Sequence, residues 1–230
     1  MIPLQDTVRS RNVPVVTWII ILINSVVFMY ELSLTEPELQ TLMTMLGMVP
    51  LRLQYDPEGY WTLITCMFLH GGWIHFIGNM WTLYLFGDNV EDRMGPIRFL
   101  IFYLLCGIAA GLAHYINYSN SAIPTVGASG AIAGVLAAYM ILFPTAKIIT
   151  LVPIIIIPLI IEIPSIVFVG VWFATQLFNG TLALGSTDAF ESVAWWAHIG
   201  GFVAGVVLLP VFKKSREEHR KEYDDEYWPW

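Results

Sequence analysis

The charged residues of this 230-residue chain are confined to a few blocks, and the apolar runs between them reach membrane-spanning length. By hydropathy the runs lie at roughly 14–31, 63–86, 97–117, 127–143, a proline-broken 148–178, and 194–212. Only 13% of residues are charged against 57% apolar, about half the charge of a soluble domain. The pattern predicts an all-α polytopic membrane protein of six helices. Its expected divisions are a segment 1–13, a membrane domain 14–212 and a charged tail 213–230. The first run is too long for a signal-peptide core and lacks a small-residue cleavage pattern, so it is expected to be a retained helix.

Six spans put both ends of the chain on one side. Arg9, Arg11, Arg93, Arg98, Lys147 and the Lys213–Lys221 block fall on that side, and only Arg52 of the eleven Lys/Arg falls on the other. The positive-inside rule makes the shared side cytoplasmic. Residues 32–62 then form an external loop, in which Thr35-Glu36-Pro37-Glu38 reads as a helix start followed by an apolar Leu39, Leu42, Met43, Leu46 stripe. Pro153, Pro158 and Pro164 argue against one unbroken fifth helix. It is expected to begin near Pro158 or Pro164, leaving 147–157 as an extended or re-entrant connection. Glu162 is read as lying at the cytoplasmic end of that helix, near headgroups. Cys66 and Cys106, isolated in apolar segments, give neither a disulfide framework nor a metal pattern. No basic cluster suited to nucleic acid is present, and no cofactor is expected.

A few polar residues within the apolar runs are not explained by helix packing. One group is His70-x4-His75-x3-Asn79, with His75 and Asn79 on one helix face. A second is Gly127-Ala-Ser129-Gly130-x3-Gly134, and a third is Ala197-His198-x2-Gly201-x3-Gly205. Alone, each has a structural reading: the glycines pack helices closely, and a membrane serine or histidine satisfies a neighbouring polar group. Together, toward one membrane face, they supply a nucleophile, a base and oxyanion donors. Ser129 would attack, His198 would take its proton, and His75, Asn79 and the Ser129 N–H would hold the developing charge. Gly127 and Gly130 would let backbone and substrate approach closely. No Asp or Glu is placed to orient His198, so the arrangement reads as a Ser–His dyad. The fourth run, 127–143, makes about 25 Å of helix against roughly 30 Å of hydrocarbon, which would sink Ser129 below the surface.

These motifs, with Phe86-Gly87-Asp88-Asn89-Val90-Glu91-Asp92, resemble the rhomboid family of intramembrane serine proteases over roughly Leu46 to Phe212. The six-helix layout is similar to that of prokaryotic members. The resemblance implies Ser129 and His198 as catalytic pair, His75 and Asn79 as oxyanion residues, His70 as support for its loop, and Glu91 as a structural carboxylate. It implies a substrate gate and cap from Phe173–Phe178 and residues 179–193, and substrates that are transmembrane proteins met within the lipid bilayer of the cell membrane. Two departures stand out. The family's Trp-Arg pair reads Trp61-Thr62, removing an arginine anchor of the first loop. Ala133 stands where some members place a tyrosine against the catalytic histidine. The competing expectation is an inactive scaffold that binds transmembrane helices.

Overall fold

A computed structural model describes residues 1–154, 157–184 and 194–214. The chain opens with β1 (Ile2–Asp6) and then α1 (Val15–Glu31). The segment after α1 is largely helical: α2 (Glu36–Leu46), α3 (Pro50–Tyr55), a 3-10 turn (Pro57–Trp61), α4 (Thr62–Thr65) and a second 3-10 turn (Cys66–Phe68). Next come α5 (Trp73–Met94), α6 (Pro96–Asn117) and α7 (Ser129–Leu142). A hairpin of β2 (Lys147–Ile154) and β3 (Ile157–Pro164) leads to α8 (Ser165–Ala183) and α9 (Trp195–Phe212). Helices α6, α8 and α9 are long and apolar enough to cross a membrane, while α1 and α7 are apolar but shorter. The expected cap segment falls largely on residues 185–193, and the tail on 215–230; both lie outside the described residues.

Helix α2 starts as the sequence indicates. Thr35 N–H and Oγ1 both bond the Glu38 carboxylate, at 2.8 and 2.6 Å, closing a capping box. An arginine does anchor this loop, but from another position. Arg52 donates to the carbonyls of Thr44 and Met45, at 3.0 and 3.3 Å, satisfying acceptors left open at the end of α2. The second apolar run differs from its hydropathy bounds, since the long helix begins only at Trp73. Gly72, at φ 138°, breaks the chain there. The helix also continues to Met94, because its acidic end is used inside the protein. The Glu91 carboxylate accepts from Val16 N–H, Thr17 N–H and Thr17 Oγ1 at 2.9, 2.8 and 2.7 Å, capping the start of α1.

The proline-broken stretch forms a sheet. Strands β1, β2 and β3 pair antiparallel in that order, with Asp6 opposite Ile148 and Ile148 opposite Ile163. Helix α8 begins directly after Pro164, which ends β3 and sits at the N-cap position with extended ψ. Glu162 is exposed in β3 and pairs with Lys147 at 3.2 Å. The Asp6 carboxylate accepts from Asn89 Nδ2 at 3.0 Å and Tyr139 OH at 2.6 Å, and the Pro3 carbonyl accepts from Trp81 Nε1 at 2.7 Å. Trp81 and Asn89 are eight residues apart on α5, about 12 Å of axial rise, so β1 lies along the flank of that helix.

The core centres on α7, from Gly130 to Tyr139 buried throughout, packed against α6, α9 and α5. The small residues are what allow this. A methyl at Gly201 would overlap the Gly130 carbonyl, and one at Gly205 would lie 2.5 Å from the Gly134 carbonyl oxygen. Helices α7 and α9 therefore touch backbone to backbone, which fixes the spacing of whatever side chains their first turns carry.

Candidate active site

Those first turns carry Ser129 and His198. Ser129 is the first residue of α7, so the N–H groups of the opening turn have no helical acceptor and point toward it. His198 lies one turn into α9, and its Nε2 stands 2.8 Å from Ser129 Oγ. Gly130 faces Ala110, seven residues and about 10 Å before the end of α6 at Asn117. With α7 only 14 residues long, about 21 Å, the serine is recessed between the longer helices.

The His75–Asn79 pair approaches from α5. Gly71 N–H reaches His75 Nδ1 at 3.4 Å, which makes Nδ1 the acceptor and leaves the proton on Nε2. Gly127, at φ +120°, turns the chain into α7 and keeps this spot clear. A Cβ there would lie 2.5 Å from His75 Nε2 and 3.7 Å from Asn79 Nδ2. Two side-chain donors thus converge beside the backbone that leads into Ser129. Asn79 is buried, and its Nδ2 has no hydrogen-bond partner among the described residues. A buried unpaired donor is costly, and one aimed at a small clear space beside a helix start can receive an oxyanion.

His70 is 2% exposed and stands behind the pair, its ring edge-on to His75 at 5.3 Å. Its N–H is held by the Glu31 carboxylate at 3.2 Å, tying the loop before α5 to the end of α1. A cavity of about 780 Å³ opens above Ser129 and His198, bordered by His75, Trp73, Tyr118 and His114. His114, a histidine of α6 that the motif reading passed over, is buried with its Nδ1 unpaired among the described residues. Gln176 was also missed. Its Oε1 is 2.8 Å from His198 Nδ1. The available signal for both was a lone polar residue in an apolar run.

The arrangement therefore brings all the expected residues together: Ser129 against His198, His75 and Asn79 against Gly127, Gly130 in the α7–α9 contact, and His70 behind. Chemically it offers a hydroxyl paired with an imidazole, with the His75 and Asn79 side chains converging on the Gly127 backbone beside them.

Comparison with known proteins agrees with this architecture. The rhomboid domain family matches residues 57–215. RHOMBOID-like protein 4 of Arabidopsis thaliana is 32% identical over 184 residues, 77% of this chain and 40% of that protein. Rhomboid protein 1, mitochondrial, of Saccharomyces cerevisiae is 30% identical over 164 residues, 70% of this chain and 44% of that one. RHOMBOID-like protein 5 of Arabidopsis thaliana is 36% identical over 110 residues, 48% of this chain and 35% of its own length. The chain thus spans well under two thirds of these curated relatives. A family match over most of the chain, on a multi-pass helical bundle with its polar groups gathered at the α7–α9 contact, means that this chain belongs to the rhomboid family.

Proposed function

We propose that the chain is an intramembrane serine endopeptidase that cuts membrane proteins in or near their transmembrane segments. One observation carries the reading: a serine hydroxyl 2.8 Å from an imidazole nitrogen, at the floor of a cavity that His75 also lines. In this mechanism His198 Nε2 takes the Ser129 proton as Oγ attacks the carbonyl carbon of an extended peptide. The carbonyl oxygen, now negative, swings toward Asn79 Nδ2, His75 Nε2–H and the Ser129 N–H, donors already in place before charge develops. Collapse breaks the C–N bond, and the amine leaves with the proton from His198. Water then enters through the cavity, gives a proton to His198 and releases the acyl group, restoring Ser129. His70 and Gly127 act by position, holding the His75 loop and keeping the anion site free of a side chain.

The proposed organisation is a segment 1–13 and a tail 213–230 on the cytoplasmic side of a cell membrane, with domain 14–212 between them. The cavity opens to the external face, following the distribution of Lys and Arg.

The test is labelling of the detergent-purified protein with a fluorophosphonate probe. Labelling of wild type and its loss in Ser129→Ala are expected. A folded wild type with no Ser129-dependent labelling would sink the protease reading and leave a scaffold that binds transmembrane helices.

A further inference from the structure

We propose that Gln176 is a positioning residue for His198, holding its imidazole in the one neutral tautomer that can accept the Ser129 proton; the catalytic meaning of that role rests on the protease reading above. Among the described residues no carboxylate bonds His198, and position 133 carries no ring, though the Trp172 and Trp195 rings lie 6.0 and 6.3 Å from the imidazole. The structure fills the vacancy from a different helix. Gln176 projects from α8 and is 5% exposed.

The orientation of its amide follows from its neighbours. Gln176 Nε2 lies 3.1 Å from the Trp172 carbonyl and 3.1 Å from Thr175 Oγ1. Thr175 spends its own proton on the same Trp172 carbonyl at 2.6 Å, so its oxygen is an acceptor toward Gln176. A flipped amide would set oxygen against two acceptors. Nε2 therefore faces α8, and Oε1 faces His198 Nδ1 at 2.8 Å. An amide oxygen has no proton to give, so Nδ1 must be the donor. That leaves Nε2 as the lone pair, 2.8 Å from Ser129 Oγ. Two hydrogen bonds at opposite ends of one ring thus specify a base-ready imidazole. A neutral amide does this without adding a buried charge to an apolar helix. The contact is held laterally by Phe173 of α8 stacked on Phe202 of α9, ring centroids 4.0 Å apart.

Two substitutions separate orientation from packing. Gln176→Leu keeps a similar volume and removes the acceptor; Gln176→Glu keeps an acceptor oxygen. With a transmembrane peptide substrate, Gln176→Leu is expected to lower kcat about tenfold to a hundredfold, with KM within about twofold. Gln176→Glu should recover most of that loss. A ¹⁵N-histidine spectrum of the wild type should show His198 protonated at Nδ1 and bare at Nε2, and Gln176→Leu should show a mixture of tautomers. Unchanged kcat in Gln176→Leu, equal loss in both variants, or a wild-type proton on Nε2 would overturn the proposal. If wild type shows no Ser129-dependent turnover, the protease reading fails, and the nitrogen spectrum still decides whether Gln176 sets the tautomer.

Discussion

Replacing Asn79 by alanine should cut activity without lowering stability. Asn79 Nδ2 is buried and unpaired among the described residues, next to the Gly127 backbone. With no protein partner among the described residues, that donor is a liability of up to about 1–3 kcal/mol in the resting protein. Truncation removes the liability and opens a small void, at a cost of about 1 kcal/mol. The balance runs from roughly zero to about 2 kcal/mol in favour of the variant. For a chain of this size that means an unchanged Tm or one higher by up to about 8 °C. In the transition state the same donor meets a full negative charge, and losing it costs about 2.7–4 kcal/mol, a hundredfold to a thousandfold in kcat. KM should barely move, because the uncharged carbonyl gains little from the donor. Steady-state cleavage of a transmembrane peptide in detergent gives kcat and KM, and thermal unfolding of the same preparation gives Tm. A Tm that falls by several degrees with kcat intact would refute the reasoning, since Asn79 would then be an ordinary structural amide.

Three further outcomes test the frame around the site. Glu91→Ala strands the N–H groups of Val16 and Thr17 and the Thr17 hydroxyl, and should lower stability by about 4 kcal/mol, with Glu91→Gln near half of that, read as Tm in detergent. Burial outweighs the Tyr139 hydrogen bond and, with Asp88 nearby, pushes the Asp6 carboxyl up to about 6 from 3.8. A raised folded value means its contribution is full below pH 4 and lost as pH rises through 6, so wild-type Tm should decline over pH 4–7 relative to Asp6→Asn, and parallel curves would count against the Asp6 contact. Gly201→Ala places a methyl on the Gly130 carbonyl; it should cost about 1–3 kcal/mol and abolish probe labelling of Ser129 by parting α7 from α9, and full labelling would show that the contact has slack.

Much of the helical frame was legible because hydrocarbon imposes a simple rule: long apolar runs with charges at their ends. The groups Ser129, His198, His75 and Asn79 were legible because polar side chains in such runs need a reason to be there. Other features depend on partners far away in the chain. The resemblance implied a structural role for Glu91 but not its partners: Glu91 and Asp92 lie beyond the apolar run, and they extend α5 by binding the start of α1 and the Arg11–Asn12 backbone. Arg52 was visible only as a misplaced cation until the end of α2 supplied its acceptors. The β1–β2–β3 sheet was hidden because Ile2–Asp6 carries no alternation of its own, and its register comes from β2. Gln176 was overlooked because hydropathy averages one amide into a run of aromatics and aliphatics.

The sheet also imposes an order on how the molecule is completed. Asp6 pairs opposite Ile148, so strand β1 is made 142 residues before the partner that defines it. At about 5–20 residues per second, the amino-terminal segment waits on the order of 7–28 s for β2. Throughout that time its backbone groups, and the carboxylate later enclosed by Asn89 and Tyr139, must be satisfied by water at the membrane surface. Pairing of β1 with β2 is therefore a long-range event that cannot precede the emergence of β2. The cost of closing that loop falls late in synthesis, after the segments of α1 to α7 have been made.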